Sequence, residues 1–332
     1  MIFMKKGFTL IEVLAVIVIL GLLIAIISPV VNNLLGDSEN VLSDKQVDSI
    51  VKASKKYMVE HSELLPEKSD STAIYISDLI DNGVIDNDEV IDPKTKEEMN
   101  GCVVVNYNEN FNQYEYNYRD DCSINITFDP EGGSVDTTSK KVMIGKPYGE
   151  LPTPTRDGYR FLGWSGKNMF SKDNTTTNNT DNYSYVTFQD DLIIFDSSNV
   201  EGNRASYIFI SGVLDNTIVA DGIRSDNTVG YKSYVLNLNG TYKYNSIRLK
   251  LNTNKKDAVM KIKNILDQNK KYAISYSIDE FDSGHVRAVI SNLQLEEGEV
   301  ATEYEPFKQY SSDTIVDKGS DYVMHAIWEV AS

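Results

Sequence analysis

Hydrophobic and polar positions are spread unevenly along the 332 residues. From Val13 to Ile27 no side chain is polar, and the apolar run reaches from Phe8 to Val31 with Glu12 as its one carboxylate. As a helix those 24 residues span about 36 Å, enough for a hydrocarbon core of about 30 Å. Pro29 removes a backbone donor and predicts a kink. Beyond it the helical period resumes. Val47, Ile50, Val51, Ser54, Tyr57, Met58 and His61 recur at steps of three and four, and Lys45, Asp48, Lys52, Lys55, Lys56 and Glu60 fall largely on the other face. This predicts a long helix running to about His61 and stopped by Pro66. Ser77 and Gly83 then bracket a short second helix.

After that the period falls to two. Cys102 to Tyr107 and Gln113 to Tyr118 read as two strands of a small antiparallel sheet, joined by an asparagine-rich hairpin at Asn108 to Asn112. Ile124 to Phe128 alternates as a strand, Asp129-Pro130-Glu131-Gly132-Gly133 is a turn, and Lys141 to Ile144 is another short strand. Seven further strand-like runs follow, at 183–188, 192–195, 205–210, 231–238, 246–251, 272–278 and 285–295. Asn, Asp, Gly and Ser turns separate them, the pattern of a β-sandwich. Asp257 to Gln268 reads as either helix or strand, and the spacing of Val259, Ile262, Ile265 and Leu266 fits a short helix better. The fold class expected is α+β and multidomain: a long N-terminal membrane helix with a small head sheet, then β modules.

Three stretches resemble known families. Lys5-Lys6-Gly7-Phe8-Thr9-Leu10-Ile11-Glu12 resembles the prepilin motif of type IV pilins and pseudopilins, and the likeness continues through the apolar helix with Gly21 and Pro29. A secretory signal peptide would place its small residue after the apolar core, whereas Gly7 precedes it. The resemblance implies that a prepilin peptidase on the cytoplasmic side cuts between Gly7 and Phe8. Lys5 and Lys6 then stay inside, as the positive-inside rule requires. It also implies that Glu12 pairs with the new amino group of Phe8 on a neighbouring subunit. A carboxylate in mid-bilayer costs about 2.5–3.5 kcal/mol, so assembly supplies the partner that the isolated subunit lacks. The implied partners are the membrane, the peptidase and other pilin subunits. The implied location is a single-pass cytoplasmic-membrane precursor and then an extracellular surface filament.

Thr127-Phe128-Asp129, Gly132-Gly133, the proline–threonine stretch Thr153-Pro154-Thr155 and Gly158-Tyr159-Arg160-Phe161-Leu162-Gly163-Trp164 resemble the internalin-type B-repeat, a β-grasp-like module. The strand that ends such a repeat is missing after Trp164. Its counterpart stands at Tyr322-Val323-Met324-His325-Ala326-Ile327-Trp328-Glu329. Asn168-Met169-Phe170, with Asn292 to Gly298 and Ala301 to Phe307, resembles jelly-roll carbohydrate-binding-like modules. The domains expected are a leader at 1–7, a pilin stem and head at 8–122, a B-repeat split between 123–165 and 311–332, and an inserted jelly roll at 166–310.

Charge and chemistry narrow the function. The net charge is −17, from 49 acidic and 32 basic residues, which opposes contact with phosphate backbones; no direct nucleic-acid binding is expected. Cys102 and Cys122 are the only cysteines. They flank the predicted hairpin on the outer side of the membrane and form either a disulfide or two unpaired thiols. With no histidine nearby they are a poor metal set. The three histidines, 61, 285 and 325, are scattered. His325 is expected at the surface. No HExxH, GxSxG or P-loop pattern occurs. Adjacent Glu296 and Glu297 point to opposite faces of a strand and cannot act as an acid/base pair. Calcium at Asp190-Asp191 has no ligand-loop pattern behind it. No enzyme activity, cofactor or metal is therefore expected. A glycan or surface-protein ligand would use exposed aromatic faces, with Tyr183, Tyr185, Tyr231 and Tyr234 as candidates. The function expected is a minor or tip pilin-like subunit displaying adhesin-like modules. The alternative is a minor pseudopilin of a competence or type II-like secretion system.

Overall fold

The computed structural model describes residues 43–177, 185–198, 202, 204–214, 217–218, 223–224, 229–237, 246–254 and 257–331. They fall into two compact units, one ending at Cys122 and one beginning at Ser123.

In the first unit, helix α1 covers residues 43–60. Ile50, Ser54 and Met58 form its buried stripe, the spacing of a single helix face. The Ser54 hydroxyl is satisfied inside the helix by donating to the Ile50 carbonyl at 2.9 Å. Strand β1 (Ser71–Tyr75), helix α2 (Ile76–Asp81) and strands β2 (Cys102–Asn108) and β3 (Gln113–Arg119) follow. The strands form an antiparallel sheet in the order β1-β2-β3. Val103, Val104 and Val105 of the central strand are all fully buried, so both faces of β2 are covered. Val103 and Val105 share a core with Ile50, Met58, Ile74 and Leu79. Gly83, at φ +65°, lets the chain turn out of α2.

The second unit holds strands β4 (Ser123–Asp129), β5 (Ser139–Met143), β6 (Tyr159–Ser165), β7 (Thr175–Thr177), β8 (Tyr185–Gln189), β9 (Leu192–Asp196), β10 (Ala205–Leu214), β11 (Thr217–Ile218), β12 (Ile223–Arg224), β13 (Gly230–Asn237), β14 (Ser246–Thr253), β15 (Ala258–Ile262), β16 (Lys271–Asp282), β17 (Arg287–Glu297), β18 (Gln309–Tyr310) and β19 (Tyr322–Val330). One sheet runs β11-β10-β14-β15-β7, with β12 also on β10. A second runs β13-β16-β17-β9-β8, and a third runs β18-β6-β19-β4-β5. Alternate residues of the first two sheets, among them Ile208, Leu249, Met260, Phe195, Ile274 and Leu295, bury themselves in one shared core. The third sheet adds Ile327 to that core, and Leu162 packs against it.

Within the third sheet β19 lies between β6, to which it is antiparallel, and β4, to which it is parallel. β18 sets Gln309 opposite Ser165 and Tyr310 opposite Trp164 on β6. Trp164 and Trp328 are almost fully buried. Their indole N–H groups donate to the Pro152 and Pro130 carbonyls at 2.8 and 2.9 Å. Glycine is required at 163. Its φ is +147°, and a Cβ there would stand 2.2 Å from the Gln309 amide.

Two expectations are corrected. The α+β class does not describe these residues, which are mostly strand, with α-helix confined to 43–60 and Ile76–Asp81. Among the described residues no helix is long and apolar enough to cross a membrane; the apolar stretch at 8–31 lies outside them. The helical signal came from the first sixty residues, and alternation governs the longer remainder. The second correction is β15. Ala258, Met260 and Ile262 are buried at a period of two and pair with β14 on one side and β7 on the other. Ile265 and Leu266 are also buried but lie beyond the strand, and their inclusion produced the false helical spacing.

Candidate functional site

A cleft of about 300 Å³ opens in the second unit between the segment after Gly166, the β8–β9 turn and the segment after β17. Ile193, Leu293 and Phe170 are its buried apolar lining. Tyr304, Pro306 and Phe307 line it from the last segment, and Lys172, Asp173 and Asp191 bring charge to it.

The residues around Tyr304 are held by a dense polar network. The Glu296 carboxylate, 1 % exposed, accepts from the Thr302 N–H and hydroxyl, both at 2.7 Å, and from the Gln294 amide at 2.6 Å. Gln294 Oε1 accepts from the Glu305 N–H at 2.7 Å. Asn168 donates to the Leu293 and Glu305 carbonyls and accepts from the Phe170 and Leu295 N–H groups. Lys167 donates to the Glu303 carbonyl at 2.9 Å and pairs with Glu305 at 3.2 Å. The backbone is thus fixed on both sides of Tyr304. Burial drives the Glu305 carboxyl upward, but Lys318 and Lys167 outweigh that and hold it below the usual range. Burial, and after it the Asp191 charge, pushes the Tyr304 phenol up, so at neutral pH it remains a hydrogen-bond donor.

A second polar constellation joins the third sheet to the shared core. The turn after β4 puts Glu131 in the left-handed region at φ +46° with its side chain fully buried. Glu131 accepts from His325 Nδ1 at 2.8 Å, from Lys270 Nζ at 3.2 Å and from the Tyr272 hydroxyl. Lys270 also contacts Asp129, and Glu297 at 3.0 Å. Arg156 caps the Glu131 carbonyl and reaches the Ile265 carbonyl at 3.3 Å. Burial opposes the charge on Lys270, yet Glu131, Asp129 and Glu297 raise its pKa above the ordinary value. Burial likewise works against the Asp129 carboxylate, but the Lys270 hydrogen bond, the Glu131 N–H and the charges of Lys270 and His325 together outweigh it, so Asp129 titrates low. Burial and Glu131 push the Tyr272 phenol far up. Asp129, Glu131, Glu297 and His325 offer ligand atoms within 4.8 Å of one another, a donor set suited to a divalent cation. Lys270 Nζ lies against all three carboxylates and supplies the positive charge there.

His325 is therefore not at the surface; it is 6 % exposed and bonded to Glu131. Of the four tyrosines proposed from sequence, the three described ones do not form one platform. Tyr183 lies outside the described residues. Tyr185 on β8 and Tyr231 on β13 occupy opposite edges of one sheet, four strand spacings or roughly 19 Å apart. Tyr231 is 57 % exposed, whereas Tyr234 faces inward and packs against the core. Gly7, Phe8 and Glu12 lie outside the described residues. Cys102 and Cys122 form a disulfide with Cα atoms 6.0 Å apart, and Cys102 stands opposite Arg119 in the ladder. Asp190 forms the β8–β9 turn at φ +51°.

Residues 2–28 match the prokaryotic N-terminal methylation motif. Residues 125–189 match the Listeria-Bacteroides repeat domain. No curated protein and no solved structure matches the chain. The motif implies a membrane-anchored, prepilin-type precursor, processed by a prepilin peptidase and assembled with other pilins into a surface pilus. The repeat implies an extracellular β module. Its match includes β4 to β6 and continues into β7 and β8, which belong to the first two sheets, and it stops well short of β19.

Sequence reasoning missed both polar constellations. The closing stretch around Gln294, Glu296 and Thr302 stands out in the sequence only as a resemblance, and nothing in its period shows that it braces Tyr304 at a cleft. For the other cluster the one local signal was the Asp129-Pro130-Glu131 turn; its partners lie about 140 and 194 residues further on.

Proposed function

We propose that the chain is a prepilin-type subunit, minor or at the tip, that carries β modules outward on a surface filament to engage a glycan or a surface protein. The observation that carries this is the methylation motif at 2–28, followed in the same chain by an extracellular-type repeat. The disulfide fits an oxidising location. The bulk of the second unit favours a rare position over repetition along a tight fibre. No catalytic role is assigned. The third sheet, built from β4–β6 and β18–β19, is read as one repeat module split by an insertion between Ser165 and Gln309; the pairing of these two residues supports this by bringing the insertion ends together.

The test is expression with a prepilin peptidase and an assembly system. Intact mass should show loss of residues 1–7 and a methyl group on Phe8. Glu12→Ala should be cleaved normally yet fail to enter filaments, scored by shearing and immunoblotting. A mutant that assembles as well as the native chain refutes the role given to Glu12. A chain left uncleaved refutes the whole reading. Loss of DNA uptake or secretion on deletion, with no adhesion defect, would favour a pseudopilin instead.

A further inference from the structure

We propose that the cleft beside Tyr304 binds one ring of a neutral saccharide. The proposal rests on the reading of the chain as a displayed surface subunit, and names the ligand class and the residues that take it.

Size, charge and wall chemistry converge on this class. At about 300 Å³ the cleft lies at the lower end of ligand sites, room for a single ring and its substituents but not for a folded chain segment. Tyr304 and Phe307, both half-buried, offer ring surface to the C–H face of a sugar. Asp191 is 94 % exposed and accepts hydrogen bonds, and the Tyr304 phenol stays protonated and donates. Lys172 lies 3.7 Å from Asp191 and donates to the Asp190 carbonyl. That ion pair offsets the attraction the Asp191 carboxylate would hold for a cationic guest. Asp173 and Asp191, in a chain of net charge −17, repel an anionic one. A neutral ring bearing neighbouring hydroxyls can both donate to the carboxylates and accept from the phenol and the ammonium. The braced backbone on either side of Tyr304 means that little ordering is needed on binding.

The experiment uses the full chain in a zwitterionic, sugar-free detergent. Glucosyl, galactosyl, mannosyl and N-acetylglucosaminyl polymer conjugates are presented beside sialylated and choline conjugates, with binding followed by biolayer interferometry. At least one neutral conjugate should be retained. Tyr304→Ala should weaken it by at least about tenfold, Asp191→Asn should weaken it, and Tyr304→Phe should lose less than Tyr304→Ala. Circular dichroism should be unchanged in all three, since Asp191 is exposed and the segment bearing Tyr304 is held through its backbone. Retention of no neutral conjugate, retention only of sialylated or choline conjugates, or neutral binding indifferent to Tyr304→Ala would each overturn the proposal. Cleavage and filament entry are scored separately, so a cleaved, assembled chain that binds no sugar rejects the cleft and leaves the surface-subunit reading standing.

Discussion

Lys270 is the residue on which the junction of the second unit depends most. It is the cation facing Asp129, Glu131 and Glu297, and Glu131 has no route to water. Removing one partner of such a buried set costs about 3–5 kcal/mol, because the charge left behind is uncompensated. Lys270→Met should therefore lower the urea midpoint of the second unit, and Glu131→Gln in the same chain should recover part of the loss. Two equal midpoints for Lys270→Met and native protein would show that the pair is immaterial. The pH dependence has a definite sign. Asp129 titrates below its ordinary value in the fold, so its contribution is present above about pH 4 and is lost as pH falls through the lowered value. Lys270 titrates above its ordinary value, so its contribution is present below about pH 10 and is lost only as pH rises through the raised one. Thermal melts should show a plateau between those limits, with the acid fall reduced in Asp129→Asn. None of this was legible locally. A carboxylate two residues into a Pro-Glu-Gly-Gly turn looks solvated, and only the return of Lys270, Tyr272 and His325 to the same place buries it.

At the scale of elements, alternation was a good guide, and helical spacing held at 43–60 but failed at 257–268. Strands β2, β3, β4, β14 and β17 lie where apolar residues alternate or run together. The segment around β15 misled because a strand followed by two buried loop residues reproduces steps of three and four over a short window. Cysteine placement was informative in a different way. Two thiols flanking one hairpin had to be near each other, whatever the register, and the ladder puts Cys102 opposite Arg119, three residues before Cys122. By chain entropy the closed loop contributes about 3 kcal/mol. Cys102→Ser with Cys122→Ser should accordingly lower the midpoint of the first unit by that order, and a reductant should do the same to the native chain but not to the double variant. Both midpoints unmoved would assign the bond no structural weight.

For the whole chain, the strongest sequence signal, the prepilin-type start, lies in residues that the described fold does not include. The third sheet gathers its strands from the two ends of the second unit. Sequence can suggest such a gathering only through the familiar look of its last strand. It cannot show that Ser165 and Gln309 become neighbours, because that depends on how everything between them folds. Replacing residues 167–308 by a short Asn-Gly linker, with Glu131→Gln to remove the carboxylate that would lose Lys270 and Tyr272, should leave the third sheet folded. Blue-shifted emission from Trp164 and Trp328 would report it. Red-shifted emission at all temperatures would mean that the sheet is not an independent module.

The place of β19 carries one more consequence. It is the inner strand between β4 and β6, yet Asn125 finds its partner Asp321 across 196 positions of chain. As the polypeptide emerges, β4 and β6 therefore wait with open edges while the two core sheets, whose strands lie between β6 and β19, are made. The sheet made from the first strand of the second unit is the last to close. Loop-closure entropy penalises that distance while the intervening chain is unfolded and eases once it has collapsed. Folding is thus ordered from the inside of the sequence outward, and any pause in synthesis or export before residue 322 leaves exposed the strand edges most prone to join another chain.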